Sequence, residues 1–195
     1  MSIVVRTTAD ALFNVLGVPF AEIKASGMLT KNGILIWGGG NAVGWAAIQL
    51  AKAAGISPTI STASSSHHQI LRDLGSTNCF DYRDDDVVTK IQIAIDQSGQ
   101  PLKLIFYSVC TNGQAPSTSR FDAINTASGA IFTGTLLVLS DKNKRIWCLA
   151  AQVWDLNLPP PIGSISANKE WELRLIETVS WATENYGKGF RRRAD

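Results

Sequence analysis

Residues 33–38, GILIWG, form an apolar run closed at each end by glycine, and after two more glycines residues 43–54 carry helical periodicity. A strand with no polar alternation has no face to give to water. It therefore belongs in a parallel sheet covered on both sides. The pattern recurs along the chain. PTIST (58–62), NCFDY (78–82), LKLIFYSV (102–109), GAIFTGTLL (129–137) and RIWCLAAQV (145–153) read as further strands. Residues 7–16, 67–75, 84–97, 119–127 and 171–187 read as helices. Thr7 or Thr8 is placed to cap the first helix and Gly17 to end it, while Asp84, Asp85 and Asp86 suit the positive start of the helix over 84–97. Residues 157–165, NLPPPIGSI, read as a rigid connection. Strands alternating with helices specify an α/β fold, a doubly wound parallel sheet of about six strands with helices on both faces. Right-handed crossovers favour the Rossmann order 3-2-1-4-5-6, and residues 1–195 are expected to form one domain.

The turn Gly38-Gly39-Gly40-Asn41-Ala42-Val43-Gly44 joins the first strand to a helix N-terminus. Free N–H groups and the helix dipole make such a turn a pyrophosphate site. Gly39 is expected to make the tight turn and Gly44 to let the helix approach the strand, with Gly40, Asn41, Ala42 and Val43 completing the cradle. In the pattern G-x-G-x-x-G the middle glycine admits the phosphates, and here Asn41 stands in its place. Asparagine tolerates left-handed backbone, and its amide can donate to phosphate. The alternative is a tight strand-to-helix turn that binds nothing.

About 20 residues beyond such a turn an acid would hold the ribose of NAD. The sequence there is TASSSHH (62–68), which contains no acid. The hydroxyls and imidazoles of that run can donate to a 2′-phosphate, which a carboxylate would repel, and this favours NADPH over NADH. Ser66 is otherwise placed to cap the helix that follows.

The remaining composition excludes several classes. A net charge of +2 gives no basis for nucleic acid or an anionic membrane as partner, and no stretch is apolar enough to span a bilayer. The N-terminus lacks the ordered regions of a signal peptide. Cys79, Cys110 and Cys148 are three, far apart, and without metal-ligand spacing, which points to free thiols in a cytoplasmic protein and to no metal site.

TTADALFNVLGVP (7–19), residues 34–55, residues 62–91 and GAIFTGTL (129–136) together resemble the cofactor domain of the medium-chain dehydrogenase/reductases. The resemblance is nearest to the zinc-free quinone oxidoreductase-like branch and the fungal trans-acting enoyl reductases. It implies that Ser64, Ser66 and His67 approach the NADPH phosphate and that Tyr82, in the F-D-Y motif, lies near adenine. It implies also that Ser108 to Cys110 and Thr133 to Thr135, at the ends of strands four and five, flank the nicotinamide. Such enoyl reductases lack the middle glycine too. Members of this family begin with a GroES-like catalytic domain that supplies the proton donor or zinc ligands, and the resemblance implies that this chain starts at the last helix of that region, with the catalytic domain absent.

The functional expectation is an NADPH-binding oxidoreductase domain, of enoyl or quinone reductase type, that transfers hydride to an activated double bond in a small-molecule substrate. Reductase turnover from this chain alone is expected to be weak or absent. Tyr107, Ser108, Cys110 and Thr135 are the candidate catalytic residues, although a strand tyrosine such as Tyr107 also fits plain packing. The alternatives are a non-redox isomerase or cyclase of secondary metabolism built on a reductase scaffold, and a non-catalytic binding or dimerisation module. A crevice filled by Trp37, Trp45 or Asn41 would favour either of these. The apolar strand over 145–153 would form an open sheet edge, through which a homodimer is expected.

Overall fold

The computed structural model describes residues 2–19, 32–109, 123–135, 146–151, 153–157 and 163–191. Its centre is a parallel sheet of six strands: β1 (Gly33–Trp37), β2 (Thr59–Thr62), β3 (Asn78–Phe80), β4 (Leu102–Tyr107), β5 (Ile131–Gly134) and β6 (Ile146–Trp147). Their order across the sheet is β3-β2-β1-β4-β5-β6, the doubly wound order expected from the alternation. A separate antiparallel pair, β7 (Leu156–Asn157) and β8 (Ser164–Ile165), spans part of the segment expected to be a plain connection.

The helices are α1 (Ser2–Ala9), continued by a π-helical segment Asp10–Val15, then α2 (Ala42–Ala53), α3 (His68–Leu74), α4 (Val87–Ser98) and α5 (Lys169–Glu184). The apolar strands explain why both faces need helices. Ile34, Ile36, Leu104 and Phe106 join one core with α1, α2, α3 and α5 residues such as Val5, Ile48, Leu71 and Leu175. Leu35, Trp37, Ile105 and Tyr107 point the other way and pack with Val87, Ile91 and Ile95 of α4. Each such side chain, once buried, contributes about 1.5–3 kcal/mol, so the period-two division fixes the register of the whole sheet.

Several expected details are corrected. Thr7 and Thr8 lie inside α1 rather than at its cap, their hydroxyls donating to the carbonyls of Ile3 and Val4, each at 2.9 Å. Asp86 precedes α4 but makes no side-chain cap; Asp84 and Asp86 instead receive Lys90 Nζ, at 2.8 and 2.9 Å. His67, not Ser66, precedes α3, after a 3₁₀ turn over Ser65–His67, and it makes no side-chain cap either. Residues 123–127 are turn and coil rather than helix, and residues 119–122 of that expected helix lie outside the described residues. Gly17 does end the first helical segment, with φ at +68°.

The sixth strand is far shorter than 145–153. Among the described residues of that stretch, Ile146 and Trp147 pair, with Thr133 and Gly134. The chain then leaves the edge because Asp10, buried in the π-helical segment, accepts the N–H of Leu149 at 2.6 Å and the amide of Asn14 at 2.7 Å. The Arg6 guanidinium adds a second tie, donating to the Ala150 carbonyl at 2.6 Å and to Glu172 of α5. Among the described residues, the edge on which the homodimer expectation rested is two residues long.

Candidate functional site

The glycine turn sits where the strand order reverses, between β1 and β4. Two amides pin it to the end of β2: Gly38 and Gly39 donate to the Thr62 carbonyl at 3.2 and 2.7 Å, and Gly38 also donates to the Thr62 hydroxyl at 3.1 Å. The tight turn belongs to Gly38 rather than Gly39. Its φ is +99°, and a Cβ there would lie 1.9 Å from Val109 Cγ2. Gly44 acts as expected: a Cβ would meet the Gly38 carbonyl oxygen at 2.4 Å, so only glycine lets α2 start this close to the turn.

Asn41 has an extended backbone, φ −94° and ψ 171°, so left-handed tolerance is not its use. It is the N-cap of α2. Its Oδ1 accepts from the Gly44 amide at 2.8 Å, and its Nδ2 donates to the Ser108 carbonyl at 3.1 Å and to Ser108 Oγ at 3.3 Å. The amide read as a phosphate donor is thus held by β4. Ala42 is exposed, and it and Val43 open the helix, where N–H groups have no carbonyl one turn back. At Gly40 a Cβ would stand 3.5 Å from Ala63 and 3.8 Å from His67, so the loop after β2 lies over the turn.

That loop carries Ser64, half-buried, Ser66, exposed, and His67, half-buried. Ser66 Oγ and His67 Nδ1 are 3.4 Å apart. Beneath the loop is an acid that the linear reading missed because it arrives from β3. Asp81 is 9% exposed. Its carboxylate accepts the Ser65 amide at 3.1 Å, the Arg83 amide at 3.0 Å, Arg83 Nε at 2.9 Å and Arg83 Nη2 at 2.6 Å. The hydrogen bonds from the Arg83 side chain hold this carboxyl well below the usual range, against the opposing effect of its burial. Arg83 also lies 5.7 Å from the centre of the Tyr82 ring, which is 38% exposed. The sequence signal for this cluster was the run D-Y-R (81–83), an acid and a base two positions apart just beyond a strand end.

The candidate catalytic residues divide. Tyr107 is 2% exposed and packs among Leu35, Trp37 and Ile91, which answers to the packing alternative. The Ser108 hydroxyl donates to the carbonyls of Gly38 and Trp37, at 2.9 and 3.0 Å, so it ties the turn to β4. Thr135 is half-buried beside it, its amide donating to the Tyr107 carbonyl at 3.2 Å. Cys110 lies outside the described residues. Gly39, Gly40, Asn41, Ala42, Val43, Gly44, Ser108 and Thr135 are brought to one end of the sheet, with Ser64, Ser66, His67 and Tyr82 beside them. Trp37 and Trp45 are core residues, not crevice fillers; of the three named candidates only Asn41 reaches between the turn and β4.

A parallel sheet in this order, with a glycine turn and a helix N-terminus at its reversal, defines a dinucleotide-fold domain. No protein-family profile matches the chain. Over 92 residues, 47% of its length, it is 44% identical to the trans-enoyl reductase tazE of Aspergillus terreus. Over 87 residues it is 39% identical to the trans-enoyl reductase himH of Aspergillus japonicus. These matches span only 29% and 25% of the relatives' own length. Among solved structures, a mutant enoyl thioester reductase from Candida tropicalis superposes over 100% of this chain and 51% of its own, with TM-score 0.64 and 16% identity. CurA in complex with NADPH, from Vibrio vulnificus, superposes over 96% of this chain and 52% of its own, with TM-score 0.58 and 13% identity. The chain is thus similar along about half of its length to fungal trans-enoyl reductases, spans less than a third of those relatives, and shares the fold of the solved structures.

Proposed function

We propose that this chain is an NADPH-binding oxidoreductase domain of enoyl or quinone reductase type, acting on a small-molecule substrate with an activated double bond. The observation that carries the reading is the turn Gly38–Gly44, pinned to β2 and β4 and opening α2 at the reversal of the sheet. Similarity to trans-enoyl reductases along one stretch supports the reaction class.

The residues fit the group. Ala42 and Val43 start α2 with amides free for a pyrophosphate. Ser64, Ser66 and His67 offer donors to a 2′-phosphate, and the exposed face of Tyr82 suits adenine. Ser108 and Thr135 stand at the carboxyl ends of β4 and β5, where the nicotinamide would lie. When bound, NADPH supplies the hydride. The chain's own task is to position the ring and keep water from it.

The test is a titration of the purified chain with NADPH and NADH, followed by tryptophan fluorescence. NADPH is expected to bind more tightly. Ala42→Asp is expected to raise its dissociation constant at least about tenfold, because a carboxylate at the helix start opposes the pyrophosphate. The same change should leave folding stability unchanged or slightly raised, since an acid suits that end of a helix. No binding by either nucleotide, or an unchanged constant in Ala42→Asp, would overturn the reading.

A further inference from the structure

The notable feature at the adenosine end is a carboxylate that is present and yet unavailable. Asp81 lies against the loop whose amide Ser65 it holds, in the neighbourhood where an acid would normally receive ribose hydroxyls. A carboxylate offers about four acceptor positions. Here four donors fill them: the amides of Ser65 and Arg83, and the Nε and Nη2 atoms of Arg83. The acid is therefore closed to hydroxyls, and its charge is cancelled at contact distance.

Arg83 is not used up by this. A guanidinium has five N–H donors in a fixed fork, and two of its nitrogens face Asp81. Its side chain is 60% exposed, and the guanidinium carbon is 5.7 Å from the centre of the Tyr82 ring. The remaining donors thus lie by the ring proposed for adenine, on a guanidinium that Asp81 links to the Ser65 amide of the loop. Asp84, close enough to act on Arg83 electrostatically, is itself engaged by Lys90 at 2.8 Å.

We propose that Arg83 is the specificity-determining residue of the site, neutralising Asp81 and presenting its outer donors to the 2′-phosphate of an adenine dinucleotide. Without Arg83 the same pocket would expose an acid that repels the phosphate and accepts ribose hydroxyls. Asp81 acts as a positioning residue, aiming the guanidinium and fixing the Ser65 amide. This rests on the reading of the glycine turn as a dinucleotide site.

The experiment measures dissociation constants for NADPH and NADH on the full chain, with Arg83→Met, Asp81→Asn, the double variant and Arg83→Lys. Arg83→Met is expected to shift the ratio of the two constants at least about tenfold toward NADH. Adding Asp81→Asn should reverse part of that shift, because the exposed acid is gone. Arg83→Lys, which keeps the charge and loses the fork, should fall between wild type and Arg83→Met. Melting curves without nucleotide show whether each variant is folded, and Arg83→Lys stands in if Arg83→Met is not. A ratio unchanged by Arg83→Met, or by Arg83→Lys in its place, would overturn the proposal while leaving the dinucleotide site intact. A double variant indistinguishable from Arg83→Met would overturn the masking role of the pair. A wild-type chain that binds neither nucleotide would remove the underlying reading and this one with it.

Discussion

Replacing Asn41 with alanine tests how the glycine turn is held without reference to any ligand. The cap bond and the bridge to Ser108, made to its carbonyl and its Oγ, go at once. The cap bond from Gly44, at 2.8 Å, is worth about 1 kcal/mol in typical helices. The donation to the Ser108 carbonyl, at 3.1 Å, is worth a net 0.5–1.5 kcal/mol or about that. Asn41 is half-buried, so water replaces only part of each. The expected loss is about 1.5–2.5 kcal/mol. With a urea m-value of about 2 kcal/mol/M, the midpoint should fall by about 1 M while the slope stays constant. Asn41→Ser keeps an oxygen for the cap but is too short to reach β4, so it should lose about half as much. Equal losses for alanine and serine would show that only the bridge to Ser108 matters. A loss under about 0.3 kcal/mol in Asn41→Ala would refute the account of the turn, because it would mean that neither bond contributes to the folded state.

Gly44→Ala should destabilise by about 1–3 kcal/mol, since alanine's better helix propensity is outweighed by a Cβ 2.4 Å from the Gly38 oxygen; urea unfolding reads this, and a stability equal to wild type would refute it. Asp81 contributes stability above its unfolded pKa, near 4, because its folded pKa is depressed. The stability difference between wild type and Asp81→Asn should therefore be constant from about pH 7 to 5 and shrink as the pH falls below about 4, and a difference that grows on acidification would contradict the assignment.

The sheet was legible because its strands are apolar without alternation. Ile34 to Trp37 and Leu104 to Tyr107 can satisfy that pattern only between two helical layers, and the strand order followed from the crossovers. The ends were harder to read, because long-range partners decide them. Nothing near Leu149 announces that its amide will turn to Asp10, 139 residues earlier, and so end β6. Lys90 draws Asp84 and Asp86 from the helix start that local preference assigned to them. At the site, the glycine spacing located the turn but misplaced its roles, since Gly38 rather than Gly39 carries the positive φ. Asp81 escaped the search for an acid because that search followed β2, while the acid comes from β3 and reaches the loop only through the fold.

The turn also separates two demands that the motif G-x-G-x-x-G merges. Folding needs glycine where the backbone turns or a Cβ has no room, and here those positions are Gly38 and Gly44. Position 41 is neither. Its dihedrals suit any residue, and its side chain points to β4, where it finds donors and acceptors to satisfy. Glycine at that position serves the approach of a ligand rather than the fold, so Asn41 exchanges some access for a cap and a strut. The amide of Gly44, which Asn41 occupies, is then withdrawn, and on the proposed reading a phosphate would be left with the first amides of α2 and the loop beside them. On the proposed reading the adenosine end would then supply more of the selectivity, and there Asp81 ties the Ser65 amide of the loop to Arg83, whose side chain is 60% exposed.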